Sequence, residues 1–231
     1  MRARSLAAAL VALFAFTALA PGLALAQTKE KAYNPFTPDN IKRIPATLDS
    51  LSGMSVKFKT MDGIPFTLTA MNPKLLLFKD MKIGDPRQIK PGDKLIVYYN
   101  APPVQGEMKL LWAIMDPPSE ILLVEMRAKP IAATFKSFKA ASRQLTVQTN
   151  GRAKTYTVVA PVMAVREAKE AVLGKADSEE KRGYSSGDKL LLIMTADRKQ
   201  VRMVMDRKTY DLYAPAIKKF PVPPASKIPK K

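Results

Sequence analysis

Apolar and polar residues alternate with a period of two in several short stretches of the chain. In MSVKFKT, residues 54–60, Met54, Val56 and Phe58 alternate with Ser55, Lys57 and Lys59. In QLTVQT, residues 144–149, Leu145 and Val147 alternate with Thr146 and Gln148. This period gives a strand with one face buried and one wet. Asp62-Gly63 and Asn150-Gly151 follow these stretches, and both are hairpin signals because a primed turn needs positive φ at its centre. They predict partner strands over residues 65–69, with Phe66 and Leu68 inward, and 155–159, with Tyr156 and Val158 inward. Further apolar runs predict closing strand pairs over residues 95–99 with 108–115, and 190–195 with 201–205. Residues 167–173 favour a helix, with Gly174 as its stop. Residues 121–126 are apolar enough for an extra strand or a linker.

The same phrase is written twice. Ile44, Ala46, Thr47 and Ser50 fall on Ile131, Ala133, Thr134 and Ser137 at a constant offset of 87. Asp62-Gly63 corresponds to Asn150-Gly151, Gly92-Asp93-Lys94-Leu95 to Gly187-Asp188-Lys189-Leu190, and Met115-Asp116 to Met205-Asp206. An ordered series of this kind indicates a duplication. Each copy reads as three strands, a connector or helix, then two strands. Five short strands bury their apolar faces and hide their edges by closing into a small barrel. The expected fold is therefore all-β with one short helix: two tandem five-stranded OB-like barrels, with SH3-like barrels as the alternative. The expected layout is a leader over residues 27–43, a first barrel over 44–118 and a linker or extra strand over 119–130. A second barrel with a helical insertion at 165–183 covers 131–210, and a Pro/Lys-rich tail covers 211–231. The plan of Ala-Thr, Asp-Gly or Asn-Gly, Thr-Leu or Thr-Val, and Gly-Asp-Lys-Leu resembles the small OB-like domains of many exported bacterial proteins, whose functions are mostly unknown. That resemblance rests on turns and core positions, so it implies a fold and no catalytic residues.

Composition narrows the function. Arg2 and Arg4 precede an apolar run over residues 6–20, Pro21-Gly22 break it, and Ala24-Leu25-Ala26 is a cleavage site, the pattern of a secretory signal over residues 1–26. An uncleaved membrane anchor is the alternative. The expected mature start is Gln27, and the expected location is periplasmic or secreted. The chain contains no Cys and no His. It therefore lacks thiol chemistry, disulfides, the commonest general base and the commonest transition-metal ligand. No enzymatic activity and no cofactor are expected.

The net charge is +18, which favours an anionic envelope component or an acidic protein as partner. Nucleic acid is disfavoured outside the cytoplasm, peripheral membrane contact is open, and the oligomeric state is not legible. Two sets of residues are candidates for binding. Lys57 and Lys59 with Tyr98, Tyr99 and Trp112 would form a basic, stacking face of the kind OB barrels present. Met203 and Met205 with Met115 would offer thioethers to Cu(I), against the alternative that methionine fills irregular cores. The repeated pairs Asp93 with Asp188 and Asp116 with Asp206 are expected to be structural, the aspartates after Gly capping their own turns, rather than to perform acid–base work or bind calcium.

Overall fold

The computed structural model describes residues 32–174 and 182–223. The targeting segment at 1–26, residues 175–181 of the expected insertion and the end of the tail lie outside them. Tyr33–Lys231 form one compact unit. Its chain order is β1 (Ile41–Ser52), β2 (Ser55–Thr60), β3 (Pro65–Thr69), β4 (Leu76–Lys79), β5 (Lys82–Ile83), β6 (Lys94–Asn100), β7 (Leu111–Met115) and α1 (Ile121–Arg127). The second copy follows with β8 (Ile131–Lys139), β9 (Gln144–Thr149), β10 (Arg152–Arg166), β11 (Lys169–Leu173), β12 (Arg182–Tyr184), β13 (Lys189–Met194), β14 (Val201–Met205) and α2 (Arg207–Lys219).

The protein is all-β, and the described residues form two short helices and two seven-stranded sheets. Inside the second sheet, β8 pairs with β9, β9 with β10, β10 with β14 in parallel, β14 with β13, and β13 with β8 again. This ring closes a five-stranded barrel in the order first, second, third, fifth, fourth, as expected of an OB-like barrel. The first copy repeats it: β1 joins β2 and β6, β2 joins β3, and β6 joins β7. A single parallel bridge, Thr69 to Leu110, links β3 to the start of β7. The extra strands build on a hairpin after the third strand, β4–β5 in one copy and the end of β10 with β11 in the other, where β12 adds to β11 in parallel.

That hairpin replaces the helix expected over residues 167–173. Its turns, Asp80-Met81 and Glu167-Ala168, hold positive φ at both residues (53° and 61°; 52° and 60°), the geometry of a type I′ turn. Few residues other than glycine adopt it unaided, and the repeated aspartates hold it here. Asp116 Oδ2 accepts from the Asp80 amide at 3.1 Å and Ser119 Oγ from the Met81 amide at 2.9 Å. In the second copy Asp206 Oδ2 accepts from the Glu167 amide at 2.7 Å and Thr209 Oγ1 from the Ala168 amide at 2.8 Å. Pairing of Lys169–Leu173 against β10 thus overrides the helical preference of its side chains.

Two further expectations change. Residues 121–126 form α1 rather than a strand, entered through a 3-10 turn that begins at Pro117. Proline suits a first helical position because its missing N–H would have had no partner there. Residues 211–219, expected to be tail, belong to α2, and the β1 strand begins inside the expected leader.

Each barrel has its own interior. Leu48, Val56, Phe58, Leu68 and Val97 fill the first, and Phe135, Leu145, Val147, Leu192 and Val204 the second. A third apolar cluster lies between the barrels. It gathers Phe78, Tyr98 and Trp112 from the outside of the first, Met163, Ile193, Met203 and Met205 from the outside of the second, and Leu122, Met126, Ile217 and Phe220 from the helical segments. Two buried carboxylates pin α1 and its entry turn to both barrels. Glu120 is held by Arg43 of β1 at 2.6 and 3.1 Å. Glu125 is held by Arg202 of β14 at 2.7 and 3.2 Å.

Asp206 also caps α2, accepting from the Thr209 amide at 2.8 Å. Burial works to raise its pKa, but the Thr209 hydroxyl and the Thr209 and Glu167 amides hold it below the usual carboxylate range. The Asp93 carboxyl is lowered by Lys79 and then by the Lys90 amide. A depressed folded-state pKa contributes stability above the unfolded value of about 3.9 and loses it as pH falls through the folded value. Asp206→Ala is expected to destabilise the fold by about 1–3 kcal/mol, from the lost cap and the hairpin amide left without its acceptor. Urea unfolding at neutral pH and again below pH ~3 checks this, and the variant's deficit should shrink in acid.

Candidate functional site

The two residue sets singled out in the sequence are placed differently from the open faces expected of them. Lys57 and Lys59 do project from β2 into solvent, and Lys59 pairs with Asp49 at 2.6 Å. The stacking partners are elsewhere. Tyr98 and Trp112 are 0% and 1% exposed in the core between the barrels, and Tyr99 is half-buried against the first barrel's interior. The Tyr98 hydroxyl donates to Glu120 at 2.7 Å. Burial, and next the Glu120 carboxylate, push its pKa well above the ordinary value.

Trp112 and Met115 would face opposite sides of a regular strand, yet both enter the shared core. The register explains it: Tyr98 faces Ala113 while Tyr99 faces Leu111, so Trp112 is the extra residue of a β-bulge. Arg202 occupies the equivalent bulge in β14 and reaches Glu125. Bulges re-aim side chains in this way. Met115, Met203 and Met205 are brought together, with Met126 and Met163 beside them, but at 0–1% exposure for the first three. Their surroundings are apolar side chains, which supports the packing role of flexible thioethers.

The repeated Gly-Asp pairs are likewise local. Asp93 accepts from the Lys90 amide at 2.9 Å and from Lys79 at 2.7 Å. Asp188 accepts from the Ser185 amide at 2.9 Å and from Arg166 at 2.8 Å. Each aspartate closes its own turn and ties it to the outer hairpin, Asp93 through Lys79 of β4 and Asp188 through Arg166 at the end of β10.

A concave basic surface on the second barrel has the makings of a site. Pairing sets Gln148, Thr134 and Lys189 side by side across β9, β8 and β13. Small residues, Ala132 and Ala133, keep the floor low, and Arg207 at the start of α2 forms one wall of a depression of about 390 Å³. Asn150 and Gly151 form the opposite rim at φ 50° and 77°, the primed turn expected from the sequence. Gln148 donates its amide to the Gly151 carbonyl at 3.2 Å, and with Thr134 it contributes polar lining to the depression. Across Asn150 lies a second depression of about 520 Å³ carrying Arg152 and Lys154. Lys154 stands 4.8 Å above the ring of Tyr156, a cation–π contact that positions its ammonium.

Four cations therefore surround one hairpin turn. Arg207 is shared with Asp211 at 2.7 Å. Among the described residues, Lys189, Arg152 and Lys154 have no carboxylate within ion-pair reach. The signal for this surface in the sequence was the basic pair directly after the Asn150-Gly151 turn. Lys189 and Arg207 could be added only from the strand register. No known family model matches the chain, and no curated protein resembles it significantly in sequence.

Proposed function

We propose that this chain is an exported, non-enzymatic binding or scaffolding protein of the cell envelope that recognises an anionic or acidic partner. The observation that carries the reading is the pair of depressions joined at Asn150 and edged by Lys189, Arg207, Arg152 and Lys154. Cations held on paired strands, beside hydroxyl and amide groups that donate or accept, suit carboxylate or phosphate oxygens. The net charge of +18, to which Arg2 and Arg4 of the signal-like segment contribute two, adds long-range attraction. All four repeated aspartates are engaged in holding turns, Asp93 and Asp188 their own and Asp116 and Asp206 those of the outer hairpins, which supports a structural over an acid–base role. The signal-like pattern of residues 1–26 supports export. The OB-like resemblance is consistent with a binding module.

A fluorescent oligo-glutamate peptide tests the reading. Binding to the chain from Gln27 onward is expected, weakening as salt is added. Lys189→Glu with Lys154→Glu should lower the affinity about 10-fold, since each reversal removes one attraction and adds one repulsion. Lys57→Glu with Lys59→Glu changes net charge equally and should have a smaller effect. Equal losses from the two pairs would reduce the effect to general charge and remove the site.

A further inference from the structure

One pole of the first barrel exposes apolar side chains in a group. Leu51 and Met54 lie at the β1–β2 turn, Met71 follows β3, and Val104 and Met108 lie in the connection from β6 to β7. Their exposures run from 42% to 58%. Backbone hydrogen bonds hold these segments together. The Ala70 amide, next to Met71, donates to the Met54 carbonyl at 2.8 Å, and the Thr69 amide donates to the Lys109 carbonyl at 2.8 Å. The Glu107 amide donates to Val104 at 3.4 Å, and Asn72, 5% exposed, anchors the connection after β3 by donating to the Leu111 carbonyl at 3.2 Å. Lys57, Lys74 and Lys109 are exposed around this pole.

The second copy does not repeat this chemistry. Its corresponding turns carry exposed Lys139, Ala140, Arg143, Arg198 and Lys199, with Phe138, the counterpart of Leu51, partly buried and Val162 36% exposed. The concentration of exposed apolar side chains belongs to one barrel and is not a property the fold demands. Exposed apolar side chains gathered in this way mark a contact surface.

We propose that this pole of the first barrel seats on an anionic phospholipid bilayer, with Leu51, Met54, Met71 and Met108 entering the headgroup region and Lys57, Lys74 and Lys109 meeting the phosphates. The composition favours lipid over a folded protein. Protein-binding centres are rich in Trp, Tyr, Arg and Met and poor in Lys; the side chains of this pole include Met but no aromatic ring and no Arg, and they are ringed by Lys. Long lysine stems lie along apolar surface while their ammonium groups reach headgroups. Unbranched thioether side chains adapt to a fluid partner. Apolar insertion and attraction to anionic lipid act together in surface binding. The proposal does not depend on the basic depressions of the second barrel.

Co-flotation with phosphatidylglycerol vesicles and with phosphatidylcholine vesicles tests it, using Gln27 to Lys231, which contains the whole compact unit Tyr33–Lys231. The chain is expected to float with the anionic vesicles and far less with the zwitterionic ones. Met54→Asp with Met108→Asp should lower the partition about 10-fold or more. Met61→Asp with Ile64→Asp, at the equally exposed β2–β3 turn, makes the same change in charge and should cost only about 2–3-fold. Circular dichroism confirms that all variants fold. The proposal is overturned if the wild-type chain ignores phosphatidylglycerol vesicles, or if both double variants lose binding equally. It is also overturned if the pole instead sustains a dimer, seen by light scattering, that Met54→Asp with Met108→Asp dissolves without any change in flotation. Loss of oligo-glutamate binding in the Lys189 and Lys154 variant, with flotation kept, would separate the two surfaces.

Discussion

Glu120→Ala is expected to destabilise the protein by about 3–5 kcal/mol, while Arg43→Met with Glu120→Leu recovers most of that loss. Glu120 is 0% exposed. Its two oxygens take the Arg43 guanidinium at 2.6 and 3.1 Å and the Tyr98 hydroxyl at 2.7 Å. Removing the carboxylate leaves a guanidinium whose side chain is only 14% exposed without its counter-charge. It also leaves a buried phenol without an acceptor. Those uncompensated groups, more than the lost attraction, set the cost. Replacing both partners with apolar groups of similar volume removes the charge penalty, because nothing charged remains to desolvate, and leaves only the Tyr98 hydroxyl without its acceptor. Urea denaturation of the three proteins decides it. A single variant within about 1 kcal/mol of wild type, or a double variant no better than the single, would sink the account.

The pair also explains why duplication alone does not make the molecule. Glu120 binds Arg43 of the first barrel, and Glu125, five positions on, binds Arg202 of the second. Arg43 and Arg202 are not repeat-equivalent: one lies on a first strand, the other in the bulge of a fifth. The position equivalent to Arg202 is Trp112, and its indole enters the same shared core. The linker therefore meets two copies that have diverged at the surfaces they turn toward it. A separate single barrel would expose the apolar outer faces of its last strands.

Most of the fold was legible because it was written as periodicity and turns. Asp62-Gly63 and Asn150-Gly151 marked the hairpins, and the offset of 87 fixed the two copies. What failed was local preference set against pairing. Residues 167–173 carry good helix formers, but the turn at Glu167-Ala168 is locked by Asp206 and Thr209 from distant sequence. The apolar run over residues 121–126 is too short for periodicity to separate a buried helix from a buried strand. The shared core had a signal of its own: Leu111–Met115 and Lys189–Met194 are almost continuously apolar, which indicates strands covered on both faces. That pattern disfavours Trp112, and the apolar run Leu95–Tyr98 of β6 likewise disfavours Tyr98, as part of an open stacking face. The basic depression was only half legible, since Lys189 meets Gln148 through the register of three strands. Met54, expected inward by alternation, sits in the turn before β2 at 57% exposure. A turn residue leaves the strand's alternation, and here it joins the apolar pole.

Phe220→Ala is the second change expected to cost about 3–5 kcal/mol. Phe220 follows α2, yet its ring stacks on Tyr98 of the first barrel at 4.9 Å and 17°, with 2% of the residue exposed. It is the point where the C-terminal helix of one copy fastens onto a strand of the other. Near it, Arg127 of α1 donates to the Ile217 carbonyl at 3.0 Å, and Lys219 pairs with Asp39 ahead of β1. The neighbouring backbone is already engaged, so the structure has little freedom to collapse into the space a truncated ring leaves. A poorly relaxed cavity belongs at the upper end of the range. Phe220→Leu keeps most of the volume and should cost about 1.5 kcal/mol or less. Trp112 is the chain's only tryptophan and lies in this same core, so its fluorescence reports the interface while far-UV circular dichroism reports the strands. Because the barrels share that core, the two probes should give coincident unfolding curves in the wild type and in Phe220→Ala. Curves that separate in the wild type would mean that the barrels unfold independently, and the shared cluster would then not bind them into one cooperative body.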